Sequence, residues 1–66
     1  MVTQAFDGCK LKLLRHKAFL TQAELAEKAG VATLTIVRLE RGETPSIPTL
    51  RRIAEALDIQ PAELAH

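Results

Sequence analysis

Between positions 33 and 41 stand side chains suited to recognition chemistry: Thr33, Leu34, Val37, Arg38 and Arg41. On a helix turning about 100° per residue, Leu34, Val37, Arg38 and Arg41 share one side, with Thr33 at its leading end. Ile36 and Leu39 share the opposite side. The Arg38 guanidinium is a planar fork of donors that matches O6 and N7 of guanine, a contact worth about 1–3 kcal/mol of base discrimination. Leu34 and Val37 carry no hydrogen-bonding group, and they can pack on thymine methyls. Thr33 can do a little of both. The competing reading makes Leu34 and Val37 ordinary core residues of a helix buried all round. Arg38 and Arg41 on the same arc favour an exposed face.

Catalysis finds no comparable set. The chain has one Ser, two Asp, two His and one Cys. His16 and His66 are far apart, no cluster of His, Cys and carboxylates has metal-ligand spacing, and no glycine-rich phosphate loop occurs. No enzymatic activity, metal or cofactor is expected. His16 reads as a solvated residue of the first helix. Cys9 reads as a small buried filler in preference to a redox sensor.

The recognition residues need a rigid mount, and the local grammar provides one. Thr21 followed by Glu24 is a capping box, each side chain able to bond the other residue's backbone N–H. Leu25, Ala26 and Ala29 recur at helical spacing, and Gly30 sits where the chain must leave the helix with a left-handed residue. Val31 plugs the corner, and a second helix runs from about Thr33 to Arg41, stopped by Gly42. Small Ala26 and Gly30 suit a close approach of the two helices. Two short helices joined by a tight turn have the layout of a helix-turn-helix.

Further elements frame this pair. A first helix starts with Asp7 as cap and runs to about Lys17, burying Leu11 and Leu14. Residues 18–20 turn the chain, with Leu20 packing before the capping box. After the loop Glu43-Thr44-Pro45, Ser46 caps a fourth helix whose first turn tolerates Pro48. Its inner stripe is Ile47, Leu50, Ile53, Ala54 and Leu57. Asp58-Ile59-Gln60 turns the chain, and Pro61 opens a last turn of helix with Leu64 inward. The expected fold is all-α and compact, with five helices.

Arg15, then Leu20-Thr21-Gln22-x-Glu24-Leu25-Ala26-x-Lys28-x-Gly30-Val31, then Ile36-x-x-Leu39-Glu40-x-Gly42 resembles the phage repressor and Cro-type, or xenobiotic-response-element, helix-turn-helix family. Leu50-x-x-Ile53-Ala54-x-Ala56-Leu57-x-Ile59-x-Pro61-x-x-Leu64 is similar to that family's fourth and fifth helices. The match covers roughly residues 8 to 65. The resemblance implies a lambda-repressor-like domain that reads double-stranded DNA with its third helix. Base contacts then fall to Thr33, Leu34, Val37 and Arg38. Phosphate contacts fall to Gln22 at the start of helix 2, to the Ala32 position, and to Thr44 and Ser46 with nearby backbone N–H groups. Arg41 and Lys10 join them by charge. The resemblance also implies an ion pair between Arg15 and Glu40 that sets the angle of the recognition helix. The alternative is two unrelated surface charges.

Three positions depart from the family pattern. Ala32 stands where a Ser or Thr commonly caps the recognition helix, a loss of about 1 kcal/mol unless Thr33 takes the role. Leu34 and Val37 are unusually apolar for a reading surface. Phe19 occupies a turn position where Gly is frequent, and positive φ there is strained for a bulky residue.

Sixty-six residues make one domain, near the size where a single core is marginal. Hydrophobic residues are 47% of the chain, with two Phe and no Tyr or Trp, which favours small, closely packed helices over a sheet. No apolar run approaches the roughly eighteen residues of a membrane span, and Met1 leads into a polar start without a signal-peptide pattern. Cys9 is the lone cysteine, so an intramolecular disulfide is impossible and a reducing cytoplasm fits. Net charge is only +1. Its distribution is uneven: Lys10, Lys12, Arg15 and Lys17 begin the chain, while Glu55, Asp58 and Glu63 end it. A basic end that meets phosphate and an acidic end that faces away are expected.

The sequence is thus read as a cytoplasmic, nucleoid-associated DNA-binding regulator, most naturally a repressor. It is expected to act as a homodimer on an inverted repeat, dimerising through the C-terminal part. The alternatives are a protein-docking module of the same fold, antitoxin-like or coactivator-like, and the DNA-binding end of a longer regulator.

Overall fold

A computed structural model of the chain describes residues 6–65. Met1 and His66, whose roles were considered above, lie outside them. Four α-helices follow one another: α1 (Gly8–Lys17), α2 (Gln22–Ala29), α3 (Thr33–Glu40) and α4 (Ile47–Ala56). The fifth expected helix is a single 3-10 turn, Pro61–Leu64, so the described residues hold four α-helices and not five. The chain extends again at Ala65, which pairs with Phe6 in an isolated antiparallel bridge, and the Asp7 N–H donates to the Leu64 carbonyl at 2.7 Å.

Each helix begins where a side chain can satisfy its orphan N–H groups. Asp7 accepts from the N–H of Cys9 and Lys10 and caps α1. The Thr21–Glu24 capping box closes on both sides, at 3.0 and 2.9 Å. Ser46 caps α4 through the Thr49 N–H. Helix α3 is the exception: Ala32 makes no side-chain cap and Thr33 does not replace it. Helix ends are equally local. Gly30 adopts φ +72, and the Val31 N–H reaches back to the Ala26 carbonyl at 2.9 Å. Nothing approaches the place a Gly30 Cβ would occupy, so this glycine serves backbone conformation and not close helix packing, correcting the expectation above. Helix α3 ends one residue early, with Arg41 as cap and Gly42 at φ +109. Phe19 takes φ +57 with its ring 93% exposed, a conformation that costs a bulky residue about 1–2 kcal/mol.

The five largest fully buried side chains are Leu11, Leu25, Ile36, Ile53 and Leu64. They come one from each of the five elements. Alanines fill the spaces between them, so helices approach closely without aromatic bulk. Helix α2 packs on α3 and α4, α1 packs on α3 and the 3-10 turn, and α4 also meets that turn.

Several expected inner residues lie elsewhere. Ile47 is 60% exposed and lines an open groove with Phe6, Pro45, Leu50 and Pro61. Cys9 is exposed and not a buried filler. Leu14 is half-buried against the core. Packing of α1 on the 3-10 turn places Lys10 beside Glu63, so at that point the basic start meets the acidic end. Among the described residues, no helix is long and apolar enough to cross a membrane.

The close approach that matters is at Gly8. A Cβ there would lie 2.3 Å from the Leu39 carbonyl oxygen and 3.2 Å from the Glu40 backbone, in the last turn of α3. Helix propensity alone would make Gly8→Ala stabilising by about 1 kcal/mol. The backbone clash reverses the sign, and urea unfolding should show a loss of about 1–3 kcal/mol. Ala32→Ser should act oppositely, restoring the missing cap and adding about 1 kcal/mol in the same measurement.

Candidate nucleic-acid interface

Helix α3 divides cleanly. Ile36 and Leu39 are buried in the core. Thr33, Leu34 and Arg38 are exposed and Val37 is half-buried, so the arc expected to read bases faces outward. Leu34 is 54% exposed, which rules out a helix buried all round. The Arg38 guanidinium has no hydrogen bond or ion pair among the described residues, leaving its donor fork free. Because Ala32 supplies no cap, the N–H groups of the first turn of α3 also lack a side-chain acceptor there.

One buried network holds this helix. The Arg15 Nε donates to Glu40 Oε2 at 2.6 Å, and Nη2 donates to Oε1 at 3.1 Å, a bidentate pair whose side chains are only 8% and 5% exposed. The Arg15 Nη1 donates to the Leu20 carbonyl at 2.8 Å, pinning the α1–α2 turn. His16 Nε2 lies 3.2 Å from Arg15 Nη2 on the exposed side. The Gln22 Nε2 donates to Glu40 Oε1 at 3.1 Å, which ties the first residue of α2 to the last of α3. The Gln22 amide nitrogen has two hydrogens, and one remains for an outside acceptor.

Burial is the largest single influence on the Glu40 carboxyl and pushes it up. Hydrogen bonds from Arg15 and Gln22, with the charges of Arg15 and Lys12, outweigh it and hold the group below the usual carboxyl value of 4.5. The Glu24 carboxyl is lowered too, chiefly by the Thr21 backbone N–H and then by the Thr21 hydroxyl.

The phosphate candidates separate into two groups. Arg41 and Thr44 are exposed beyond the end of α3. Thr44, Ser46, Thr49 and Arg38 line one cleft between α3 and the start of α4, so the loop stands beside the reading helix. The Ser46 hydroxyl, however, is committed to the cap: it accepts from the Thr49 N–H and donates to Thr49 Oγ1 at 3.0 Å. Lys10 does not join the set. Its ammonium donates to the Ala65 carbonyl at 2.5 Å and lies with Leu13 and Glu63 against the C-terminal turn. Lys12 is the helix α1 lysine whose charge acts on Glu40. Lys12 stands in the basic start of the sequence, but its closeness to Glu40 is not legible there, and for the contact at Gly8 the one signal is a glycine at the first position of a capped helix. Among the described residues, no group of three or more His, Cys, Asp or Glu is placed to hold a metal.

Comparison with known proteins agrees with this geometry. The pattern of the helix-turn-helix family matches residues 11–64. The chain belongs to the helix-turn-helix family. In this helix-turn-helix chain α2 is the supporting helix and α3 the second, recognition helix of the motif. The immunity repressor protein of Bacillus phage phi105 is 41% identical over 54 residues, which are 80% of this chain. The chain spans only 38% of that relative's length. The restriction-modification controller protein C.AhdI from Aeromonas hydrophila superposes with a TM-score of 0.83 at 36% identity, over 86% of this chain and 88% of that one. The biofilm regulator SinR of Bacillus subtilis, solved in complex with DNA, superposes with a TM-score of 0.78 at 36% identity, over 82% and 89% of the two chains.

Removing one partner of the buried pair leaves the other charge stranded. Glu40→Gln should destabilise the fold by about 3 kcal/mol at pH 7. A carboxyl lowered by folding stabilises above its unfolded value of 4.5 and loses that contribution as pH falls through the lower folded value. The wild-type advantage over Glu40→Gln should therefore be full at pH 6–7 and shrink below about pH 4.5, as read by denaturant midpoints across that range.

Proposed function

We propose that this chain is a sequence-specific, double-stranded DNA-binding transcriptional regulator of the repressor type, with all 66 residues serving as one DNA-binding domain. The carrying observation is the outward arc of α3, with a free Arg38 fork, on a helix whose far end is clamped by Arg15, Gln22 and Glu40. Kinship with an immunity repressor, and with a regulator solved on DNA, supports the same reading.

In this reading Arg38 pairs with a guanine, while Thr33, Leu34 and Val37 meet neighbouring base edges. The remaining Gln22 amide hydrogen and the first-turn N–H groups of α2 and α3, Ala32 marking the latter, meet phosphates. Arg41, Thr44 and the backbone after Ser46 hold the strand beside the α3–α4 loop. With a net charge of only +1, affinity rests on these few placed groups and on a second copy, not on a bulk cationic surface. A homodimer sets two recognition helices about 34 Å apart on an inverted repeat. Exposed Ile47 and the groove beside the 3-10 turn are the C-terminal surface on which the second copy is placed. Such a protein works in the cytoplasm at the nucleoid.

The exposed apolar Leu34 also suits a protein partner, and the test separates the two readings. Bound duplexes should be selected from a random pool at moderate salt, with wild type and Arg38→Ala in parallel. An inverted repeat with half-sites one helical turn apart is expected, and the mutant should lose preference at one guanine, a change of about 1–3 kcal/mol. No enrichment even at low salt overturns the DNA reading and points to docking through Leu34 and Val37.

A further inference from the structure

The apolar ridge on α3 carries a consequence for the chemistry of the DNA itself. Leu34 is the large exposed hydrophobic side chain of this helix, and Val37, one turn further on, is half-buried beside it. Neither belongs to the buried core, which α3 supplies through Ile36 and Leu39. The reading arc therefore presents the apolar Leu34 and Val37 beside the hydroxyl of Thr33 and the guanidinium groups of Arg38 and, at the end of the helix, Arg41.

Resting on the DNA-binding reading above, we propose that this ridge reads C5-methyl groups of pyrimidines, so that 5-methylcytosine substitutes for thymine and cytosine methylation strengthens binding. In the major groove the bases present hydrogen-bond donors and acceptors, and the C5-methyl group is the one bulky apolar feature among them. An aliphatic side chain laid on a donor or acceptor removes its water and returns no partner, which is unfavourable. Laid on a methyl, it removes apolar surface from water on both sides, which is favourable. Leu34 and Val37 have no polar atom with which to tell the O4 of thymine from the N4 amino group of cytosine. They distinguish pyrimidines by the methyl alone. Thymine and 5-methylcytosine carry that methyl at the same place, and unmodified cytosine and uracil lack it.

The test is a base-analogue scan of the selected operator. Each thymine in turn is replaced by uracil, and affinity is measured by fluorescence anisotropy with wild type and Leu34→Ala. At the position facing Leu34, uracil should weaken wild-type binding about fourfold, the ~0.8 kcal/mol of one buried methylene-sized group converted at 1.4 kcal/mol per factor of ten. Cytosine at that position should bind weakly and 5-methylcytosine should recover the lost factor. In Leu34→Ala the methyl dependence should collapse there and persist at any position facing Val37. Leu34 is exposed, so circular dichroism should show this variant folded. A flat uracil scan, or 5-methylcytosine no better than cytosine, overturns the proposal. Absence of any selected operator is a different outcome, which overturns the DNA-binding reading on which the proposal stands.

Discussion

The bidentate pair of Arg15 and Glu40 is the interaction on which the arrangement of this molecule depends. A guanidinium and a carboxylate almost wholly removed from water carry a large desolvation cost, tolerable only when each donor and acceptor finds a partner. Here they do. Arg15 spreads its donors over the Glu40 carboxylate and the Leu20 carbonyl, while Glu40 also accepts from Gln22. One network thereby joins α1, the α1–α2 turn, the start of α2 and the end of α3. Hydrophobic packing is non-directional and tolerates small rotations of a helix. Planar forked hydrogen bonds do not, so the network sets the angle at which α3 is presented.

Gly8 is the steric counterpart of that electrostatic clamp. The first turn of α1 rests on the backbone of the last turn of α3, with no room for a Cβ. The approach places the base of α1 against the same end of α3 that Arg15 grips. Helix α3 is thus fixed at its C-terminal end, and the uncapped N-terminal end with its outward arc is left to meet a ligand. An eight-residue helix with two buried anchors has little intrinsic stability, and its order comes from this mounting.

The rest of the fold is economical in the same sense. One large buried side chain per element, with alanines between, makes a core in a chain this short. Such a core leaves few residues for other tasks, and the reading face consists of what the core does not take. That face joins the apolar Leu34 and Val37 to the guanidinium groups of Arg38 and Arg41, in a chain of net charge only +1.

The local features of this chain are legible in its residues alone. The Asp7, Thr21 and Ser46 caps, the left-handed exit at Gly30 and the inward direction of Ile36 and Leu39 follow from bonds and spacings within four residues. Such features need no knowledge of the rest of the chain. Nothing in the spacing of Arg15 and Glu40, 25 positions apart, joins them, and only the family resemblance implies their pairing. Other features were decided only by the tertiary structure: the Gly8 contact with Leu39, the Lys10 bond to Ala65, the exposure of Ile47 and Cys9, and the shortening of the last helix to a 3-10 turn. Each depends on where the two ends of the chain meet. Closing Phe6 onto Ala65 and Asp7 onto Leu64 is a long-range event, and the side chains near it take their partners from neighbours that no local periodicity encodes.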